Sequence, residues 1–313
     1  MNWEEYWKQF VDSYKLNDKI SDMDEIDLDR NGRYIIKDIC HTIYDEYPNY
    51  REDLEKIRLD LLNIVEYFPG VHLQTSRVKE LDSLLNKIIK KRSDAIISDT
   101  NLYAHLDANN YKDILTDLTG VRLIISYRGR WKELHEKILE VFPYYDNMDE
   151  YSECSFIPHQ ENGRSVIAEI PIAYYAYDDD ITMYKEAGIR TYLKENGYRS
   201  VHYVISFKGV YVEIQTRTIY DEAWSDFDHN YVYKHELHPS HPALKEMSLV
   251  LSQLTNAASD LGELMRCVYD NELIEESAEG YRIKDGYDLH TNDISDKIGR
   301  AKQLLDDFRV HIL

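Results

Sequence analysis

Apolar residues recur at intervals of three and four near the start of the chain, where Trp3, Tyr6, Trp7, Phe10, Val11 and Tyr14 share one face of a predicted helix. Asn31-Gly32 breaks that pattern. Residues 33–67 then read as helical, with apolar positions at Leu54, Ile57, Leu61, Ile64 and Val65, a breaker near Pro48 and a stop at Pro69-Gly70. A further helix is predicted from about 76 to 92. Beyond it Val121–Tyr127 reads as a strand, 131–141 as a helix and 166–176 as a strand with an aromatic tail. Residues 201–207 and 210–214 are rich in Val, Ile, Phe and Tyr and form a hairpin around Lys208-Gly209. A helix over 218–234 follows, Pro239 and Pro242 mark a boundary, and 243–275 and 290–310 read as long helices. In the first of these, Leu244, Met247, Leu251, Leu254, Ala258, Leu261, Leu264 and Met265 form an apolar stripe that needs a partner, either in cis or in a second copy. The pattern predicts an α/β (α+β) fold, a mixed sheet over 45–235 flanked by helical segments at 1–44 and 236–313.

The hairpin carries polar residues where a core strand would not. Side chains two apart on a strand share a face, so Glu213, Gln215 and Arg217 project together. An acid, an amide and a base on an inward face point to a site, although Glu213 and Arg217 could also be a simple ion pair.

Composition narrows the options. The net charge of −21 argues against broad nonspecific nucleic-acid binding, which needs many neutralised phosphates. Against that background Arg77, Lys79, Lys87, Lys90, Lys91 and Arg92 form a conspicuous basic cluster. No stretch approaches the roughly 20 apolar residues needed to span a bilayer, and the N-terminus lacks a signal pattern, so a cytoplasmic protein is expected. Cys40, Cys154 and Cys267 suggest neither a disulfide framework nor a zinc site.

Three more constellations accompany the hairpin. Lys79, Ser83, Lys87 and Lys90 line up at helical spacing, three ammonium groups and a hydroxyl suited to a run of phosphates or to a solvated helix face. Asp117-x-x-Gly120-x-Arg122 leads into a strand, where the carboxylate can hold Mg²⁺ against phosphates or close an ordinary turn. Lys194-x-x-Gly197-Tyr198-Arg199-Ser200-x-His202 offers a tyrosine able to stack on a base and a lysine able to reach phosphates.

Taken in order, these motifs, with Glu213-Ile-Gln215-Thr-Arg217-Thr followed by Trp224 and Asp228-His229, resemble the RelA/SpoT synthetase domain of the small alarmone synthetases over about residues 45–235. Two features depart from the family pattern. Asp228 stands where the family usually has Glu, and 144–193 is longer than in the smallest members.

The resemblance implies a nucleotidyltransferase-like core. It implies transfer of the β,γ-pyrophosphate of ATP to the 3′-hydroxyl of GDP or GTP, giving (p)ppGpp and AMP. It places Arg77 and Arg122 around adenine and Lys79, Ser83, Lys87 and Lys90 on the triphosphate. Asp117 and Glu213 would hold Mg²⁺, with Glu213 also serving as base. Lys194, Tyr198, His202, Gln215, Arg217 and Glu222 would form the acceptor side, Glu222 reading the guanine edge. The alternatives are a toxin-type enzyme, with an antitoxin partner, that modifies the tRNA 3′ end or makes (p)ppApp, and a catalytically silent nucleotide-binding protein. No His-Asp pair occurs in residues 1–75, so the hydrolase domain of the long family members is not expected. Family behaviour also implies a homo-oligomer formed through terminal helices.

Overall fold

Capping fixes where the helices around the sheet begin. Asn2 and Glu5 form a reciprocal capping box that opens α1 (Trp3–Tyr14), whose Phe10 and Val11 are buried. Helix α2 (Asn17–Asp24) follows, then α3 (Ile35–Val65). The computed structural model describes residues 2–24, 35–96, 102–145, 165–177, 179–233, 242–269, 274–277 and 280–283, together with 299, 302 and 303.

Pro48 does not break α3 as the sequence suggests; it lies inside a helix of 31 residues. An interior proline costs about 3 kcal/mol. Burial of Ile36, Ile39, Cys40 and Ile43 before it and Leu54, Leu61 and Val65 after it offsets that cost. The boundary expected at 44/45 therefore falls within one helix. Phe10, Val11, Leu16 and Met23 share one core with Leu84, Leu85 and Ile88 and with sheet residues Val121, Leu123, Tyr203 and Ile214.

Strand β1 (Val71–Val78) occupies the start of what the sequence suggested was a helix over 76–92, and α4 (Leu81–Ile96) begins only after it. Arg77 is thus on a strand, and Lys79 lies between the elements. Next come α5 (Tyr111–Ile114), β2 (Thr119–Ile125), α6 (Trp131–Val141), β3 (Val166–Ile167) and β4 (Ile172–Tyr175). The single strand expected over 166–176 is divided by Pro171, which has no N–H for a ladder. Helix α7 (Thr182–Glu186), β5 (Arg190–Leu193), β6 (Ser200–Phe207) and β7 (Val210–Thr218) complete the sheet.

The sheet is mixed, in the order β1-β2-β7-β6-β4-β5, with β3 also paired to β6. Strands β2 and β7 run parallel, as do β4 and β5, and the other pairings are antiparallel. Thr218 and Asp221 form a second capping box that turns β7 into α8 (Ile219–Asp228), extended by a wider turn at His229–Tyr233.

Helix α9 (Pro242–Tyr269) packs against α8. It ends earlier than expected, since Ile274–Ser277 and Gly280–Ile283 are paired strands, β8 and β9. The expected apolar stripe is not its buried face. Met247, Leu254, Leu261 and Met265 are 50%, 37%, 45% and 66% exposed, whereas Ser248, Ser252, Asn256 and Ser259 are buried. The helix expected over 290–310 lies outside the described residues, apart from 299, 302 and 303. Among the described residues no helix is long and apolar enough to cross a membrane.

Candidate active site

Two carboxylates meet where β2 and β7 run side by side. Gly120 pairs with Glu213 in register. A Cβ on Gly120 would lie 2.5 Å from the Glu213 carbonyl oxygen, so this approach requires glycine. Asp117 sits in the turn just before β2. Arg77, Asp117, Gly120, Arg122, Glu213 and Gln215 line one cleft with a volume of about 160 Å³. Arg77 pairs with Gly120 and Thr75 with Arg122, so the two arginines stand as diagonal neighbours on one face.

Asp117 is clamped by cations. Lys79 Nζ donates to its Oδ2 at 2.8 Å, and Lys87 Nζ lies 2.7 Å from its Oδ1. Each carboxylate oxygen of Asp117 therefore has its own ammonium partner. Burial alone would raise the Asp117 carboxyl, but Lys87 and Lys79 outweigh it and hold the group well below the usual carboxylate range. Lys79 is itself lowered, because burial and the neighbouring Lys87 outweigh its attraction to Asp117.

Glu213 belongs to a closed ring of five side chains. His202 Nδ1 lies 3.0 Å from Glu213 Oε1, and His202 Nε2 lies 2.9 Å from the Tyr198 hydroxyl. Arg217 Nη2 donates to that hydroxyl at 2.6 Å and to Gln215 Oε1 at 3.1 Å. Gln215 Nε2 donates to Glu213 Oε2 at 2.5 Å and closes the ring. Where the hydroxyl donates to His202 Nε2 the His202 proton lies on Nδ1, and in the imidazolium both nitrogens donate, so in either form Nδ1–H faces Glu213. His202 and Gln215 thus both donate to the carboxylate. Burial raises Glu213, but His202, with its hydrogen bond and that of Gln215, brings it below the ordinary value.

Glu222 ties this ring to the other end of the cleft. Its Oε1 accepts from Arg122 Nη1 at 2.8 Å and its Oε2 from Arg217 Nη1 at 3.0 Å. The expectation that Glu222 reads a guanine edge therefore meets two guanidinium groups already on its oxygens. Arg217 is 5% exposed and bonds Ser225 and Tyr198 as well, so it braces the site from behind.

The remaining sequence candidates divide. Lys194 follows β5, with its ammonium 4.8 Å from the centre of the Tyr174 ring. The Tyr198 ring carries the Arg217 guanidinium at 4.9 Å. Ser83 lies on the exposed first turn of α4. The single row of Lys79, Ser83, Lys87 and Lys90 does not form, since Lys79 precedes the helix. Burial first, and then Lys87, lower Lys91, one turn beyond Lys87, against the attraction of Asp117. It was visible in the basic cluster but not singled out.

Glu169, between β3 and β4, was not expected at all. Burial first, and then the Glu213 charge, push its carboxyl up to about 7, against a smaller opposing effect of Arg190. A lone glutamate beside short apolar runs gives no spacing signal in the sequence.

The Mg²⁺ implied by the family chemistry finds a fitting donor set. No cluster of three His, Cys, Asp or Glu that could hold a metal occurs among the described residues. Mg²⁺ in phosphate-transfer sites typically takes one or two carboxylates and completes its shell with phosphates and water. Asp117 and Glu213 line one cleft, and this pair of carboxylates matches that requirement.

Comparison with known proteins agrees with the motif order. The chain is similar to GTP pyrophosphokinase YjbM of Bacillus subtilis (strain 168), 27% identical over 191 residues that cover 48% of this chain and 89% of that protein. It is also similar to GTP pyrophosphokinase YwaC of the same organism, 23% identical over 180 residues, 55% of this chain and 63% of that one. Among solved structures, the small alarmone synthetase 1 from Bacillus subtilis bound to its product pppGpp aligns over 71% of this chain and 93% of its own, at 21% identity and a TM-score of 0.42. The family model described as a region found in RelA / SpoT proteins matches residues 76–238, just over half of the 313 residues and the stretch that holds both carboxylates and the ring around Glu213. The chain belongs to the RelA/SpoT family.

Proposed function

We propose that this protein is a pyrophosphokinase that transfers the β,γ-pyrophosphate of ATP to the 3′-hydroxyl of GDP or GTP, releasing AMP. The observation that carries the reading is the pairing of two carboxylates on one cleft, Asp117 held by lysines and Glu213 held by a ring of donors. The relatives' activity, named in YjbM and YwaC, supports the same reaction class.

Each group has work suited to its chemistry. Arg77 and Arg122 offer planar cations for the two faces of adenine. The triphosphate takes over Lys79 and Lys87, with Lys91 and Lys90 further along α4, and relieves Asp117 of its ammonium partners. Asp117 and Glu213 would hold Mg²⁺, which when bound neutralises charge on the transferred group. On the acceptor side Tyr198 stacks on the purine, and Lys194 meets the 5′-phosphates. Glu213 takes the proton from the 3′-hydroxyl as its oxygen bonds to the β-phosphorus. The bond from that phosphorus to the α,β-bridging oxygen breaks, and AMP leaves with the electron pair. His202 and Gln215 keep Glu213 ionised and aimed.

A second reading keeps the donor half and changes the acceptor to the 3′ end of tRNA or an adenosine nucleotide. Tyr192, 50% exposed on β5, packs on Tyr174, which meets Tyr198 edge-on, and so extends the aromatic surface past Tyr198. Incubation with γ-labelled ATP and GDP, GTP, ATP or deacylated tRNA distinguishes these readings by which acceptor becomes labelled. Label in none of them, with no AMP formed, leaves a silent nucleotide-binding protein.

A further inference from the structure

Helix α9 buries a mixed face, in which Val250, Ala257 and Cys267 lie beside a row of polar residues. Its buried positions include Ser248, Ser252 and Asn256, four residues apart, while several of its large apolar residues stay exposed. What the polar row touches explains the choice. Ser248 O accepts from Trp224 Nε1 at 2.8 Å. Ser252 Oγ accepts from Arg199 Nη1 at 2.7 Å and donates to the carbonyl of Gly197 at 3.0 Å. Asn256 Nδ2 donates to Asp179 Oδ1 at 3.2 Å, and its Oδ1 accepts from Arg128.

Gly197 and Arg199 flank Tyr198, and both are held from behind. Gly197 has φ +88°, and a Cβ there would lie 2.3 Å from Ser252 Oγ, so the loop backbone packs directly on the Ser252 side chain. Arg199 is 7% exposed and chelated by Asp179, Nε to Oδ2 at 2.7 Å and Nη2 to Oδ1 at 3.1 Å. Its remaining nitrogen, Nη1, points to Ser252 and Gly197. A single hydroxyl thus fastens the loop twice, once at a backbone carbonyl and once at a buried guanidinium.

We propose that α9 is a strap that sets the Lys194–Arg199 loop, with Ser252 as the positioning residue that fixes Tyr198 and Lys194 at the acceptor side. The proposal rests on the reading of Tyr198 and Lys194 as acceptor-binding groups. Ser252 touches no substrate. It acts through Gly197 and Arg199, and it bears on the acceptor half because none of its bonds reaches Asp117, Lys79 or Lys87.

The test compares Ser252→Ala with Thr255→Ala, whose hydroxyl bonds only carbonyls of its own helix, those of Leu251 and Ser252. Hydrogen exchange of the full chain reads the strap without any substrate. Ser252→Ala is expected to speed exchange in the 194–199 segment while β2, β6 and β7 keep their protection, and Thr255→Ala is expected to change neither. Steady-state kinetics with ATP and GDP read the consequence. Losing a buried hydrogen bond to a charged group corresponds to roughly tenfold or more, expected as a rise in the GDP KM with the ATP KM within about twofold. Unchanged exchange at 194–199 in Ser252→Ala overturns the strap, as does an equal rise in both KM values. If the wild type labels no guanosine acceptor, the reaction reading fails instead, and the exchange measurement still decides whether Ser252 holds the loop.

Discussion

The Tyr198 hydroxyl lies 2.9 Å from Nε2 of His202, and this contact joins the expected acceptor platform to the expected base. The other nitrogen of the same imidazole meets Glu213. A purine stacked on Tyr198 would rest on a ring whose hydroxyl is hydrogen-bonded to the histidine that orients the carboxylate. Acceptor binding and base alignment are therefore mechanically one event.

Tyr198→Phe and Tyr198→Ala should separate those roles. Phenylalanine keeps the stacking face and removes the hydroxyl, so the acceptor KM is expected to change little while kcat falls. Alanine removes the platform too, and base stacking is worth about 1–3 kcal/mol, so the acceptor KM should rise tenfold or more. Initial rates over a matrix of ATP and acceptor concentrations check this. Equal KM effects on both substrates would place Tyr198 outside the acceptor pocket.

Asp117→Asn and Glu213→Gln are each expected to abolish transfer with the fold intact. Both exchanges are near-isosteric and remove a charge. Retention of more than about a tenth of wild-type turnover, a loss of only about 1.4 kcal/mol, would show that the assigned role is wrong. Circular dichroism and melting of the same samples separate chemistry from unfolding.

Much of this site was legible because motif spacing survives in the fold. The alternation of Glu213, Gln215 and Arg217 on a strong strand does put the three on one face, and they join one network. The helical row through Lys79 and Ser83 was misread because spacings of three and four also occur by chance across a strand end and a turn. On β1, Val71, Leu73 and Val78 are too scattered to show a period of two. Helix α9 differs in another way: the stripe expected to meet a partner in cis or in a second copy is largely exposed within this chain. Its apolar stripe gave the clearer pattern, but the bonds that seat the helix run from serines and an asparagine, residues whose partners lie tens of positions away in Gly197, Arg199 and Trp224.

Glu222→Gln tests whether this carboxylate reads a base or holds the arginines. It accepts from Arg122, on the adenine side, and from Arg217, on the acceptor side. If bracing is its role, the KM values for ATP and for GDP should both rise, because a neutral amide holds both guanidinium groups less firmly. A rise confined to guanosine acceptors, with inosine analogues lacking the 2-amino group unaffected, would return Glu222 to base recognition.

Glu169 makes stability depend on pH in an unusual direction for a carboxyl group. Its folded-state value is pushed up to about 7 from an ordinary 4.5, mainly by burial and then by Glu213. Glu213 is lowered, so it ionises first and its charge then opposes ionisation of Glu169. In the window between the two values the folded state binds more protons than the unfolded state, so stability falls as pH rises. The contribution is fully present below about 4.5 and lost by about 7, a difference of up to about 3 kcal/mol. Glu169→Gln cannot ionise and should flatten this part of the profile, gaining stability relative to wild type at pH 7 and above. Urea unfolding at pH 5, 6, 7 and 8 in metal-free buffer, for wild type and variant, measures it. Parallel profiles for the two proteins would mean that Glu169 is solvated and ionises normally. A wild-type profile that rises with pH while the variant's stays flat would reverse the sign and remove the assigned burial of this carboxyl.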